Sequence, residues 1–151
     1  TTSTITATPT PTGVQIHPNS NNTKCMDVAG NIRQNGTPVQ IFDCNGSSGQ
    51  RWNITRGLTK VQLAGTNFCL DAGLPNLFGN GDRLKIWQCI DTIPAQTWAY
   101  TNQNQILLLA TEPSINPQCV DLPDGQTFNG NQLQTFQCSP LYANQIWTTT
   151  S

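Results

Sequence analysis

Apolar residues in this chain cluster in short runs separated by polar, turn-forming stretches. Val61-Gln62-Leu63, Leu84-Lys85-Ile86-Trp87 and Gln105-Ile106-Leu107-Leu108-Leu109 are rich in side chains that fit a pleated surface. No segment repeats its apolar positions at the spacing of a helix face. Ten prolines and twelve glycines interrupt the chain too often for long helices. Asn-Gly pairs at 35–36, 80–81 and 129–130 accept positive φ cheaply and predict tight turns between strands. The pattern predicts an all-β domain.

The same features recur three times in register. Cysteines fall into the pairs Cys25 with Cys44, Cys69 with Cys89, and Cys119 with Cys138, separated by 19, 20 and 19 residues. Asp27, Asp71 and Asp121 each follow the first cysteine of a pair by two positions; Phe42, Trp87 and Phe136 each precede the second by two. Each Asn-Gly begins nine residues before a second cysteine, and each repeat runs on to a Gln-x-Trp headed by Gln50, Gln96 or Gln145. Four features in one register exclude coincidence. A period of about 44 to 50 residues divides the chain into three pseudo-symmetric repeats, approximately 14–58, 59–104 and 105–149. Trp52, Trp98 and Trp147 are expected in a shared core around the pseudo-threefold axis. Pairing within repeats is the simplest connectivity open to six cysteines. Each bridge would close a loop of roughly 20 residues and contribute up to about 3 kcal/mol in the chain-entropy model. Metal binding is the competing reading of the cysteines, but their spacing and the lone His17 fit no zinc pattern.

Charge narrows the partners. Seven Lys plus Arg stand against eight Asp plus Glu, a net charge of -1, and no basic cluster offers phosphate neutralisation, so nucleic acid is not expected. Abundant Thr, Asn and Gln suit a neutral partner covered in hydroxyls. No stretch approaches the roughly 18 apolar residues of a membrane span. The first residues carry neither a basic nor an apolar run, so a secreted protein is expected to stand here in mature form. Six cysteines fit an oxidising compartment. Sequons at Asn21, Asn35, Asn45 and Asn53 are the expected N-glycosylation sites. Residues 1–13 read as a Thr/Pro-rich tail, either an O-glycosylated segment or a linker remnant. The folded domain, 14–151, is expected to start near Val14.

Cys119-Val120-Asp121, Gln134-Thr135-Phe136-Gln137-Cys138 and Asn144-Gln145-Ile146-Trp147 carry the pattern Cys-x-Asp, Gln-x-aromatic-x-Cys, Asn-Gln-x-Trp. Over about residues 14–149 the chain resembles the ricin B-type lectins, also known as family 13 carbohydrate-binding modules, and its phrasing is similar to secreted fungal members. The resemblance implies a β-trefoil of twelve strands with a shallow pocket available in each repeat. It implies galactose-type ligands (galactose, N-acetylgalactosamine, lactose or related glycans) carried on glycoproteins or glycolipids, and no cofactor.

The residues make chemical sense as a sugar site. A pyranose offers vicinal hydroxyls and an apolar C–H face. Asp121 can accept from two adjacent hydroxyls, and charged acceptors make the stronger hydrogen bonds. Phe136 offers a flat surface to the C–H face, and Asn144 both donates and accepts. By resemblance, Gln145 would hydrogen-bond Asp121 and fix its orientation, while Gln134 would line the same pocket. The bland alternative for all three aspartates is that each caps a turn.

The repeats are unequal. The first keeps Asp27, Gln40, Phe42 and Gln50, but Gly49 stands where the family has asparagine. Losing that partner costs roughly 1 kcal/mol, about fivefold in affinity, unless a water or neighbour compensates. The second keeps Asp71, Trp87 and Gln96, with Ala95 for the asparagine and Lys85 for the upstream glutamine. Lys85 is expected to pair with Asp71 or to contact the ligand. The third repeat is therefore expected to hold the best site.

Reversible recognition without catalysis is the expected function, with several sites, or a homo-oligomer, raising weak affinity by avidity. A glycosidase needs two carboxylates about 5 to 9.5 Å apart. The three repeated aspartates would fall on different lobes, and Glu112 and His17 have no motif-like partner. A binding module separated from a catalytic partner stays open, because modules of this family occur fused to glycosidases and toxins. A β-trefoil protease inhibitor is the remaining alternative, yet an inhibitor has no need for Asp, aromatic and Gln in register three times.

Overall fold

The computed structural model describes residues 12–151; the Thr/Pro-rich tail, up to Pro11, lies outside the described residues. The first lobe holds β1 (Gln15–Pro18), β2 (Lys24–Val28), β3 (Val39–Asp43) and β4 (Trp52–Asn53). The second holds β5 (Gly57–Thr59), β6 (Gln62–Leu63), β7 (Phe68–Asp71), β8 (Asp82–Arg83), β9 (Lys85–Gln88) and β10 (Trp98–Tyr100). The third holds β11 (Ile106–Leu108), β12 (Gln118–Asp121), β13 (Asn131–Gln132), β14 (Gln134–Gln137) and β15 (Trp147–Thr150). Short 3-10 turns connect them, and every strand pair is antiparallel.

The twelve expected strands become fifteen because three of them break where the chain changes partner. β8 pairs with β14 of the next lobe while β9 pairs with β7 of its own. Likewise β13 pairs with β3 and β14 with β12, while β5 pairs with β10 and β6 with β4 and β7. Leu84 and Leu133 sit at two of the breaks and join Val39 in a closed ring of hydrogen bonds. The Val39 N–H donates to Leu84 O (3.1 Å), Leu84 to Leu133 O (2.9 Å), and Leu133 to Val39 O (2.9 Å). All three residues are buried, so the ring satisfies backbone groups that water cannot reach. It marks the pseudo-threefold axis.

Below the ring lies one apolar core containing Trp52, Trp98 and Trp147, all fully buried, as their repetition predicts. Each indole N–H donates to a carbonyl of its own lobe, Met26, Leu70 or Val120, at 3.0, 3.2 and 3.0 Å. One disulfide closes each lobe, Cys25–Cys44, Cys69–Cys89 and Cys119–Cys138. β1 pairs with β15 and ties the two ends of the domain together. His17 on β1 is buried between the Lys24 carbonyl (2.8 Å) and the Thr150 hydroxyl (2.6 Å). Its Nδ1 lies 3.8 Å from Cys25 Sγ and 3.7 Å from Cys44 Sγ, which their disulfide removes as metal ligands. Among the described residues no helix is long and apolar enough to cross a membrane.

The Asn-Gly pairs form the expected tight turns between strands, closed by i→i+3 bonds from the N–H of Thr37, Asp82 and Asn131 to the carbonyls of Gln34, Gly79 and Phe128 at 3.2 Å. Gly36, Gly81 and Gly130 take positive φ (92°, 86° and 97°) while Asn35, Asn80 and Asn129 do not, so the turns are not of the two-residue type I′ hairpin kind, which needs both. Each pair also docks its lobe on another. The glycine N–H donates to Ile86, Thr135 or Ile41 of another lobe at 2.8, 2.9 and 2.9 Å. The asparagine Oδ1 accepts the backbone N–H of Gln88, Gln137 or Asp43 at 2.7, 2.7 and 2.8 Å. These are clasps between lobes.

Candidate functional site

Strand register assembles the same four groups in each lobe. Asp27 lies opposite Gln40, Asp71 opposite Lys85, and Asp121 opposite Gln134. Two residues along, Cys25 lies opposite Phe42, Cys69 opposite Trp87, and Cys119 opposite Phe136. Strand side chains alternate with a period of two, so disulfide, aspartate, opposed residue and aromatic share one face.

The Gln-x-Trp glutamines then lock the aspartates from below. Gln50 donates to Asp27 at 3.1 Å, Gln96 to Asp71 at 2.9 Å and Gln145 to Asp121 at 3.1 Å. The same amides donate to the carbonyls of Asp43, Gln88 and Gln137 at 2.9 Å and accept the N–H of Asn45, Ile90 and Ser139 at 2.9 Å. All three glutamines are fully buried with their amides committed. They orient the carboxylates and have no face for a ligand. Gln40 and Gln134 supply a second donor, each at 2.9 Å, to Asp27 and Asp121. Gln134 is therefore mostly buried against its aspartate. Burial pushes the Asp27 and Asp121 carboxyls above the ordinary 3.8, against the lowering pull of the glutamine donors; Asp124 pushes Asp121 further the same way.

Above the aspartates the lobes diverge. In the third, Phe136 is 40% exposed and lines a groove of about 300 Å³ with Gln137, Ser139 and Tyr142. Asn144 lines a separate hollow of about 180 Å³ beside Leu122, Gly125 and Thr127. Asp121, only 2% exposed, lines neither. In the second lobe, Asp71, Lys85, Trp87 and Ala95 open into one cleft of about 710 Å³. Its walls are Leu74, Pro75 and Leu77 on one side and Ile90, Ile93 and Pro94 on the other. Ala95 has no side chain that can reach across this gap.

Lys85 does not pair with Asp71, the first of its two expected roles. Asp71 is already occupied by Gln96 and by the Gly73 N–H at 2.6 Å, and Lys85 forms no ion pair with it. The ammonium passes instead over Gly73, 2.6 Å from where a Cβ there would stand. Its charge acts on Asp82, whose Oδ2 is buried without a partner and whose carboxyl is raised by burial.

Sequence reasoning passed over Tyr142, whose hydroxyl accepts from Asn144 Nδ2 at 2.8 Å, and the aliphatic walls of the second lobe. Tyr142 lies outside the repeated frame, so nothing in the register points to it. In the first lobe it passed over Asn31, which donates to Ser48 Oγ at 3.2 Å beside Arg33, itself 2.7 Å from that oxygen.

The family model for the ricin-type beta-trefoil lectin domain matches residues 12–147. Among solved structures, the designed three-fold symmetric protein ThreeFoil aligns with a TM-score of 0.74 at 17% identity, covering 91% of this chain and 97% of that one. The C-half of an earthworm R-type lectin, in complex with GalNAc, aligns with a TM-score of 0.71 at 17% identity, over 93% and 99%. A stretch of 48 residues is 38% identical to a probable lipoprotein, EnvE, of Salmonella typhimurium, and the chain spans only 28% of that relative's length. The structural likenesses carry the fold; the family match, running through all three lobes, carries membership. The chain belongs to the ricin-type β-trefoil lectin domain family.

Proposed function

We propose that this protein is a non-enzymatic lectin, one domain over 14–151 in three repeats, that binds galactose-type glycans on glycoproteins or glycolipids. The observation that carries the reading is the repeated aspartate, held by buried glutamines below a half-exposed aromatic ring in lobe after lobe. A carboxylate oxygen has two acceptor directions. One glutamine donor on each oxygen of Asp27 and Asp121 leaves the other direction for a sugar hydroxyl. Lectin neighbours of the same fold carry GalNAc or N-acetyl-D-lactosamine, which favours galactose-type sugars as the ligand class.

The third lobe keeps the whole residue set; the reading requires one sugar to reach Asp121, Phe136 and Asn144 together across the two hollows, with Gln134 and Gln145 behind the aspartate. The second lobe, with Asp71, Lys85 and Trp87, has the most open cleft, and its aliphatic walls suit a galactoside bearing an apolar group. Three disulfides fit secretion, and the sequon asparagines Asn21, Asn35, Asn45 and Asn53 are all exposed for glycosylation.

A glycan array tests the reading, followed by galactoside-column retention of Asp27→Asn, Asp71→Asn and Asp121→Asn, singly and together. Asparagine preserves shape while removing the charged acceptor. Galactose-type hits and progressive loss of retention are expected. Full retention of the triple variant would overturn the site assignment, and an array without galactose-type hits would overturn the specificity.

A further inference from the structure

Two 3-10 turns flank the aspartate of the first and third lobes: Ala29–Asn31 and Ser48–Gln50 in one, Pro123–Gly125 and Ala143–Gln145 in the other. The first turn of each carries two consecutive left-handed residues. They are Gly30 (φ 63°) and Asn31 (φ 52°) in the first lobe, and Asp124 (φ 55°) and Gly125 (φ 66°) in the third. Asn31 and Gly125 are thus equivalent, each four residues after its aspartate, and so are Gly49 and Asn144, each just before the Gln-x-Trp glutamine. Asparagine and glycine have exchanged places.

The geometry of the exchange is reciprocal. A Cβ on Gly125 would stand 2.7 Å from Asn144 Oδ1, because that carboxamide reaches across from the second turn to the first. A Cβ on Gly49 would stand 2.9 Å from Asn31 Oδ1, because that carboxamide reaches across from the first turn to the second. Each amide also anchors its Nδ2 on a hydroxyl of the second turn or its lead-in, Tyr142 for Asn144 (2.8 Å) and Ser48 for Asn31 (3.2 Å). The backbone explains why the exchange is allowed. Position 31 needs φ above zero, and asparagine is among the few side-chain-bearing residues that accept it readily. Both carboxamides therefore occupy the space between the two turns, from opposite sides.

We propose that Asn31 is a sugar-contacting residue of the first lobe, supplying from the opposite turn the carboxamide that Gly49 lacks. The inference rests on the lectin reading and extends it: the first lobe is a complete site of altered wiring, with Asp27, Phe42 and Asn31 as its contacts.

The test is a reciprocal exchange in a background of Trp87→Ala and Phe136→Ala, which removes the exposed aromatics of the other two lobes. Binding of methyl β-galactoside is followed by calorimetry, or of the strongest array hit if the wild type ignores that probe. Asn31→Gly relaxes the left-handed backbone while deleting the amide, and is expected to weaken binding about tenfold. Gly49→Asn alone crowds Asn31 and is also expected to bind poorly. Asn31→Gly with Gly49→Asn copies the third lobe's arrangement and is expected to recover most of the affinity. Equal melting temperatures across the set separate lost contact from lost fold. No residual binding in the background, or undiminished binding by Asn31→Gly, overturns the inference while leaving the lectin reading standing if the wild type binds. A wild-type protein that binds no glycan overturns both together.

Discussion

Replacing Gln145 by leucine keeps the side chain's approximate volume and deletes its hydrogen bonds. Three groups then lose a close partner, Asp121 Oδ2 (3.1 Å), the Gln137 carbonyl (2.9 Å) and the Ser139 N–H (2.9 Å), and the Gln105 amide loses a longer contact at 3.4 Å. A net hydrogen bond contributes about 1 kcal/mol, giving about 3 kcal/mol for the set, and stranding an ionised acceptor raises the loss toward about 5 kcal/mol. For a domain of this size that lowers the melting temperature by on the order of 10 °C. Gln50→Leu and Gln96→Leu delete equivalent bonds and should give losses within about 1 kcal/mol of it. Urea denaturation reads the loss directly as a shifted midpoint at unchanged slope. If all three variants lose less than about 1 kcal/mol, the glutamines are spectators and the aspartates are held by strand register alone.

Three further outcomes follow from the same geometry. If Asp27 and Asp121 accept sugar hydroxyls as proposed, binding needs both ionised; both are raised by burial, so affinity should begin to fall on acidification at a pH above 3.8. Their stability contribution has the opposite sign: it is present below 3.8 and is lost as pH rises through the raised folded value, so through these two groups acid weakens binding while favouring the fold. Calorimetric titration of wild type against Asp27→Asn with Asp121→Asn checks this, and identical pH profiles would refute it. Asn35→Ala, Asn80→Ala and Asn129→Ala should each cost about 1 kcal/mol in urea. Asn35 should cost least, because Asn80 also accepts from Gln118 and Asn129 also binds Lys24 and Asp43. Octyl β-galactoside should bind the second lobe more tightly than the methyl glycoside, by up to about 0.8 kcal/mol per buried methylene. Leu74→Ser with Leu77→Ser should erase that preference, and equal affinity of the two glycosides for the wild type would refute the apolar cleft.

The trefoil was legible because its constraints repeat. Cysteine spacing, the Gln-x-Trp glutamines and the buried tryptophans must satisfy the same geometry three times, and a thrice-repeated requirement leaves a thrice-repeated trace. Asn-Gly was legible as a repeat but not as a clasp, since local turn chemistry cannot say that the asparagine oxygen meets another lobe's backbone. Lys85 misled for a related reason: its charge suggested Asp71, yet each oxygen of Asp71 already accepts one donor, from Gln96 and the Gly73 N–H, and the ammonium lies over Gly73 instead. Asn31 was the readable residue that went unread. Its exchange with Gly49 against the Gly125 and Asn144 pair stands in the sequence, but its meaning depends on two turns facing each other across a gap.

That gap also explains why the lobes can differ so much in chemistry while sharing one fold. The ring of Val39, Leu84 and Leu133 and the three tryptophans are wholly buried, so a change there opens a cavity in the core that the lobes share or, at a tryptophan, strands a buried carbonyl. Asn31, Leu74, Leu77 and Phe136 lie outside that core and are exposed, where substitutions usually change stability little. Between the two layers sit the aspartates, held from the core side by glutamines that never vary among the lobes. What faces the ligand is then free to change lobe by lobe: a crossed carboxamide in the first, an aliphatic cleft in the second, Phe136 with Asn144 in the third. On the proposed lectin reading, a domain built this way would carry three chemically distinct sites on one scaffold. Its affinity for a surface displaying mixed glycans should therefore exceed its affinity for any single one by avidity.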